Sequence, residues 1–139
     1  MSEDRGPHRF VNPPELAKPS GFSHAVVPAD GRTVYLAGQT GHRQDGTLAG
    51  ETLVEQFDQA LANVVAALQG AGGAPEHLVR MHIYVTDAAD YRERSRSLGE
   101  AWRRHLGRHF PAVALFQVAG LFDPDARVEL VGTAVVPNP

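Results

Sequence analysis

The sequence predicts a single α+β domain in which two helices cover one face of a β-sheet. Its 139 residues suit one hydrophobic core, two stretches repeat apolar residues with helical spacing, and the stretches around them alternate as strands do. The predicted order is β-β-α-β-α-β-β, with a further strand allowed near the N-terminus. Because two helices cover only one face, the other face stays partly apolar, which predicts association between copies. The apolar side chains expected on that open face are Tyr35, Tyr84, Val113, Leu115 and Val131.

The N-terminal part is predicted to hold a lead-in and then a hairpin. Residues 1–19 contain four prolines and are expected to be extended and poorly packed, with the domain itself over residues 20–137. The apolar runs His24–Pro28 and Thr33–Ala37 flank the pair Asp30-Gly31. An Asp-Gly pair between apolar runs is typical of a tight hairpin turn, because both residues tolerate positive φ.

Two helices follow from periodicity and capping residues. Thr52–Gln69 repeats apolar residues at spacings of three and four, Thr52 and Glu55 have the spacing of a capping box, and a glycine-rich segment ends the helix. A second helix is predicted from Asp87 or Asp90 to Leu106. Its arginine-rich outer face is interpreted as a solvated surface. The side chains expected to point inward from the second helix are Tyr91, Leu98, Trp102 and Leu106.

Three further strands are predicted, over Leu78–Thr86, Pro111–Ala119 and Arg127–Val136. Alternation places every second residue of a strand on the same face. In the first of these strands, Val79, Met81, Ile83 and Val85 are expected on the helix side. In the last strand, the helix-facing residues are Val128, Leu130, Gly132, Ala134 and Val136.

The composition narrows the classes of function. The chain contains no cysteine, which excludes disulfides, thiolate metal sites and a cysteine nucleophile. The formal net charge is −3, whereas nucleic-acid binding needs concentrated positive charge, so no nucleic-acid partner is expected. No segment approaches the ~18 apolar residues of a membrane span, and the acidic start is unlike a signal peptide. We therefore expect a cytoplasmic protein without a membrane partner.

Taken in order, several segments resemble one family, the Rid family (YjgF/RidA, endoribonuclease L-PSP). Each segment is short, but the ordered set covers residues 20–136. The matching segments are Ser20–His24 (similar to GPYSQ), Val34–Gln39 (IITSGQ), Gln56–Gly73 (the first helix and its closing AG), Ile83–Tyr91 (VFVKDLNDF), Phe110–Ala112 (the start of FPARS) and Val128–Leu130 (IEIEAIA).

The resemblance implies a chorismate-mutase-like α+β fold with a mixed sheet. It also implies a homotrimer whose sheets form an inner barrel, with a small-molecule cleft at each subunit interface. In the founding members an arginine holds the substrate carboxylate and a glutamate orients the attacking water, so that 2-aminoacrylate-type enamines and imines are hydrolysed to 2-keto acids and ammonia. No metal and no organic cofactor take part in that reaction.

This chain departs from the family pattern at the arginine. The position after Phe110-Pro111-Ala112 is Val113. Arginine donates two parallel charge-assisted bonds to a carboxylate, each contributing on the order of 1.5–3 kcal/mol. Valine is therefore expected to weaken such a substrate by roughly 10²-fold or more. Arg32, Arg43, Arg80 or Arg127 could supply a replacement cation from another strand or subunit.

The other positions of the expected cleft are mostly less polar than in the founding members. Gly38 and Glu129 are retained, and Glu129 is the candidate catalytic residue that would activate water. By strand parity we expect Val113, Leu115 and Gln117 to face the same side as Glu129. The remaining candidate substrate-binding residues are Phe22, His24, Ala37 and Ala89.

Two functions of different kinds remain open. The first is a hydrolase or deaminase acting on an imine or enamine without a carboxylate, and so a poor 2-aminoacrylate deaminase. The second is a non-catalytic trimer that binds a metabolite. A ribonuclease is disfavoured by the acidic net charge. His105 and His109 have the spacing of a helical metal pair, but Gly107 lies between them and no third ligand is evident, so no metal site is predicted.

Overall fold

A computed structural model describes residues 6–139. The strands are β1 (Arg9–Val11), β2 (Ala25–Val27), β3 (Gly31–Tyr35), β4 (Gln39–Thr40), β5 (Leu78–Val85), β6 (Ala112–Gln117) and β7 (Val128–Pro137). The main sheet has the strand order β3-β7-β5-β6, with the short β4 also paired to β7. Only β5 and β6 are parallel, so the sheet is mixed as expected.

The helices pack on one face of this sheet and enclose the core. Helix α1 (Leu53–Gly70) begins at Thr52, and both hydrogen bonds of the predicted capping box with Glu55 are present. The predicted second helix is two helices, α2 (Ala88–Glu93) and α3 (Ser95–Leu106), because the backbone leaves helical geometry at Arg94. No helix within residues 6–139 is long and apolar enough to cross a membrane.

The N-terminal segment differs from the prediction in two ways. First, β1 pairs with β2 in a small separate sheet, and His8 is buried, so a poorly packed lead-in does not describe His8–Val11. Residues 1–5 lie outside the described residues. Second, the predicted Asp30-Gly31 hairpin is wrong, because β3 pairs with β7 instead of β2. Gly31 lies so close to β7 that a Cβ would be 2.8 Å from the carbonyl carbon of Val136.

The helix side of the sheet is largely as predicted, with one shift in β5. Met81, Ile83 and Val85 are buried on that side. The register of β5 shifts between Leu78 and Arg80. As a result Leu78 is buried in the core, whereas Val79, which was expected there, is only half-buried. Alternation alone does not reveal such a bulge, because the extra residue reverses the parity beyond it.

The opposite face of the sheet is open, and aromatic side chains lie at both of its edges. Tyr35 on β3 is 82% exposed and Phe116 on β6 is 45% exposed. Phe116 stacks on Tyr84 with ring centroids 5.5 Å apart. The predicted open apolar face therefore exists, although β6 contributes residues other than those expected.

The expectation that Val113, Leu115 and Gln117 face the same side as Glu129 is wrong. In the parallel register of β5 and β6, these three residues pair with Met81, Ile83 and Val85, which point toward the helices. Glu129 pairs with Tyr84, which points away from them. Since paired residues in adjacent strands share a face, Val113 and Leu115 leave the open face, and Ala114 and Phe116 replace them.

Candidate ligand site

A groove with a cavity volume of about 620 Å³ lies between α3 and the edge strand β6. This size is within the range of small-molecule sites. We call it the α3 groove. Val113 and Leu115 line it from β6, and Phe22 lines it from the N-terminal segment. Its remaining aromatic lining consists of Phe57, Tyr91, Trp102 and Phe110.

The aromatic wall of the α3 groove is held by packing and by one hydrogen bond. The indole Nε1–H of Trp102 donates to the carbonyl oxygen of His109 at 3.0 Å. The rings of Phe57 and Tyr91 meet edge to face at 6.1 Å. Burial raises the pKa of the Tyr91 phenol above its ordinary value, so Tyr91 is neutral near pH 7. The lining of the groove is therefore mostly uncharged, and one part of it is aromatic.

Two arginines of α3, Arg96 and Arg103, also line the α3 groove. The sequence prediction missed them, since it assigned the outer face of this helix to solvent. Of the arginines that it named as replacement cations, Arg43 donates to Thr47 and to the Leu48 carbonyl oxygen. Arg127 donates to the Glu51 carbonyl oxygen. Neither these two nor the strand residues Arg32 and Arg80 line the groove.

The retained glutamate lies elsewhere, in what we call the Glu129 corner: Glu129, Gly38 and Thr40. A Cβ built on Gly38 would collide with the Glu129 carboxylate, coming within 2.8 Å of its Cδ. Glycine at position 38 is therefore required for this carboxylate to occupy its position. Glu129 is half-buried, and within residues 6–139 it forms no ion pair.

A polar network supports the Glu129 corner. Thr40 is the cross-strand partner of Glu129. Its hydroxyl lies 2.5 Å from Nδ1 of His42, and Nε2 of His42 lies 2.8 Å from the Asp123 carboxylate. Hydrogen bonds from the Asp125 amide and from His42 lower the pKa of Asp123. The network joins β4 to the loop before β7, and the sequence prediction did not find it because its members are far apart along the chain.

The side-chain amide of Asn63 on α1 fixes the same segment. Its Nδ2 donates to the carbonyl oxygens of Thr40 and His42 at 3.0 and 2.8 Å. Gln59 in turn donates to Oδ1 of Asn63. Helix α1 therefore holds the backbone at Thr40 and His42 in place, and with it the position of Thr40 beside Glu129.

The other predicted site residues are dispersed. Gln117 accepts a hydrogen bond from the Ala88 amide at 2.8 Å and so supports the start of α2. His24 hydrogen-bonds the Ala17 carbonyl oxygen and packs against Phe22. Ala37 and Ala89 are exposed. None of these four residues lines the α3 groove.

No candidate metal centre emerges from the described residues. His105 contacts Asp58 at 2.8 Å, whereas Nε2 of His109 lies 2.7 Å from the Leu78 carbonyl oxygen. Within residues 6–139 no three His, Cys, Asp or Glu side chains are grouped so as to hold a metal ion. The two histidines therefore serve separate structural contacts.

The α3 groove and the Glu129 corner lie on opposite faces of the sheet. They are also two strands apart, since β5 lies between β6 and β7, a separation of about 10 Å. One chain therefore cannot present both to the same small ligand. Together they indicate an α+β domain of the small-ligand-binding class.

Comparisons with known proteins identify the family. The family model described as Endoribonuclease L-PSP matches residues 14–136. The chain is 31% identical over 123 residues to the RutC family protein UK114 of Drosophila melanogaster, covering 88% of this chain and 85% of that protein. It is 30% identical over 115 residues to 2-iminobutanoate/2-iminopropanoate deaminase of Homo sapiens, covering 82% of this chain and 79% of that protein.

Solved structures agree with this assignment. The Rid-family protein YyfB from Yersinia pestis superposes with a TM-score of 0.83 and 31% identity, covering 94% of this chain and 100% of that chain. RidA from an Antarctic Psychrobacter species has a TM-score of 0.67 and 28% identity, covering 98% of each chain. The chain belongs to the endoribonuclease L-PSP (Rid) family.

Proposed function

We propose that the protein is an imine or enamine hydrolase of the deaminase type that works as a homotrimer. In this proposal, each active cleft combines the α3 groove of one subunit with the Glu129 corner of the next. The main support is the Glu129 carboxylate, which is seated against Gly38 with no ion-pair partner in the described chain. An unpaired carboxylate that is half-buried is well suited to accept a proton from water.

The proposed reaction needs no group beyond the chain and water. Glu129 takes a proton from a water molecule while the water oxygen bonds to the C=N carbon, and the nitrogen takes up a proton. The carbinolamine that forms collapses to a C=O group and releases ammonia or an amine. An enamine first takes a proton on carbon to become the imine. The human relative is named as a deaminase of two imino acids, and the same class of reaction is proposed here.

The substrate is proposed to lack a carboxylate on the reacting carbon. Val113 and Leu115 present only apolar atoms to the α3 groove, so a carboxylate held against them would lose its water without gaining a partner. An apolar or aromatic substituent fits this lining instead. The protein is therefore expected to be a poor catalyst for 2-aminoacrylate and similar small imino acids.

The open face of the sheet supports the homotrimer. Tyr35 and Phe116 leave aromatic surface exposed at both edges of this face, and Val131 and Tyr84 lie between them. Exposed apolar side chains of this kind are typical of an interaction surface. Covering it with further copies would also supply the carboxylate that each groove lacks.

The test is a coupled assay with freshly generated imines, comparing wild type, Glu129→Gln and Val113→Arg. Wild type should hydrolyse an aromatic imine such as that of phenylacetaldehyde, and Glu129→Gln should lower kcat by about 10²-fold or more. Glu93→Gln, an exposed carboxylate on α2, is the matched control and should be unchanged. Val113→Arg should gain activity toward 2-aminoacrylate. Full activity of Glu129→Gln on every accepted substrate would refute the proposal.

A non-catalytic binding trimer is the second candidate. It is favoured by the loss of polar side chains at Phe22, Ala37 and Ala89, where the resemblance places tyrosine, serine and asparagine. In that case the α3 groove would bind a metabolite without turnover. Saturable hydrolysis of any imine by the purified protein would exclude this candidate.

A further inference from the structure

The arginines of α3 and Arg94, the residue before it, fall into two groups by their partners. Arg94 lies 3.3 Å from Asp90, and Arg104 lies 2.9 Å from Asp58, so the charges of both are paired within the chain. Arg96 and Arg103 have no acidic partner among residues 6–139, and these two line the α3 groove. The unpaired cations of the helix are therefore the ones beside the cavity.

Arg96 and Arg103 lie on the side of α3 that borders the groove. Arg96 and Arg103 are two helical turns apart, so their side chains leave the same side of the helix. Gly99 lies between them and also lines the groove. A Cβ at Gly99 would be 3.7 Å from Nη1 of Arg103, which shows that this guanidinium reaches back over the glycine toward Arg96. Glycine is disfavoured in a helix interior, and here its absent side chain leaves space beside the cation.

We infer that Arg96 and Arg103 form an anion-binding rim of the α3 groove, and that its ligand combines a flat apolar body with a remote carboxylate or similar anionic group. The body packs among Phe22, Trp102 and Val113, and the anion lies near Gly99. Both arginines are exposed, and each can donate charge-assisted hydrogen bonds to an anion at the mouth of the groove. The strand residues alone favour an uncharged ligand. With the two arginines included, the groove favours an amphipathic acid.

Anion binding at the groove does not depend on catalysis. Only the identification of the bound ligand with the substrate rests on the proposed function. The anion would be held from the helix and not from β6, on the far side of the groove from the family's arginine position. The reacting carbon and the anionic group are then several bonds apart. Aromatic imines with an acidic side chain, or their ketone products, have this form.

Binding can be measured without turnover, because Trp102 is the single tryptophan of the chain and lines the groove. The probes are 3-phenylpropanoate and its neutral isostere 3-phenylpropanamide, titrated into the full-length protein while tryptophan fluorescence is followed. Wild type should bind the acid about tenfold or more tightly than the amide, and the difference should shrink as salt is added. The double variant Arg96→Gln/Arg103→Gln should bind the two probes equally.

Arg104→Gln is the matched control, because Arg104 lies on the same helix but outside the groove, and it should keep the preference for the acid. Failure of wild type to bind the acid, equal binding of both probes, or a preference that survives the double substitution would overturn the inference. Glu129→Gln should keep the preference for the acid even if it abolishes turnover. Failure of the rim and failure of the proposed reaction are thus separate results.

Discussion

The α3 groove and the Glu129 corner differ in how they compare with the family pattern. Three of the changed positions, Val113, Leu115 and Phe22, line the groove, whereas Ala37 and Ala89 lie outside it. The corner keeps both Gly38 and Glu129, in direct contact. In the proposed function the groove selects the substrate and the corner activates water, so the changed groove would alter specificity while the retained corner would keep hydrolysis. Because the two regions lie on opposite faces of the sheet, the proposed active site needs a second copy of the chain.

Separating the subunits should have the largest effect on activity, because the α3 groove and the Glu129 corner would no longer meet. Phe116→Asp puts a charge on the open face, where association would bury it without a partner. We expect a monomeric, folded chain by sedimentation and a loss of imine hydrolysis on the order of 10²-fold or more. Leu16→Asp, at an exposed apolar residue of the N-terminal segment, should leave both unchanged. A fully active monomer would show that one chain suffices.

Disturbing the corner alone should have a smaller effect and leave the groove intact. The methyl group of Gly38→Ala displaces the Glu129 carboxylate, and a small misplacement of a reacting group lowers the rate roughly 10- to 100-fold. Binding of 3-phenylpropanoate, followed by Trp102 fluorescence, should not change. Gly70→Ala adds a methyl where no atom lies within 4 Å and is the control. An unaltered rate in Gly38→Ala would remove the Glu129 corner from the mechanism.

The smallest expected effect concerns the pH dependence of the unfolding free energy, through His109. The backbone carbonyl oxygen of His109 accepts the hydrogen bond from Trp102 in the groove wall. The His109 side chain is buried, with the residue 5% exposed, and burial lowers its pKa. The unfolded chain protonates this histidine near the ordinary pKa of about 6.5, but the folded chain does so only at lower pH. The unfolded state then binds more protons, so the unfolding free energy should fall as pH drops below about 6.5.

Denaturant titrations of wild type and His109→Gln between pH 7 and pH 5 measure this effect. Wild type should lose more stability than the variant over that interval. Equal slopes would mean that His109 does not contribute to the pH dependence. The charged or titratable groups that act on His109 are His8, Glu76 and His77, and they are unchanged in the comparison.

Local sequence patterns predicted much of the fold. The capping box of α1 was predicted because all its atoms come from four successive residues. The open face was predicted because two helices cannot cover a sheet on both sides. By contrast, the Asp30-Gly31 pair suggested a hairpin, yet Gly31 is required by close contact with β7, a partner more than 100 residues away.

The site was predicted less well than the fold, for two physical reasons. The parity of β6 relative to β7 depends on its parallel register with β5, which no local pattern specifies. The role of Arg96 and Arg103 depends on which side of α3 faces the edge of β6. The spacing of these arginines around Gly99 was visible in the sequence, but charged helix faces are usually solvated, so the pattern alone favoured solvent.

The central claim is that each active site takes its carboxylate from one subunit and its groove from another, and mixed trimers test it most directly. Glu129→Gln removes the carboxylate, and Leu115→Trp fills the α3 groove, so each variant alone should be inactive toward an aromatic imine. After both are unfolded and refolded together in equal amounts, about a quarter of the clefts combine an intact groove with an intact carboxylate. We predict recovery of about a quarter of wild-type activity. No recovery from the mixture, with trimers verified by mass, would contradict a site shared between subunits.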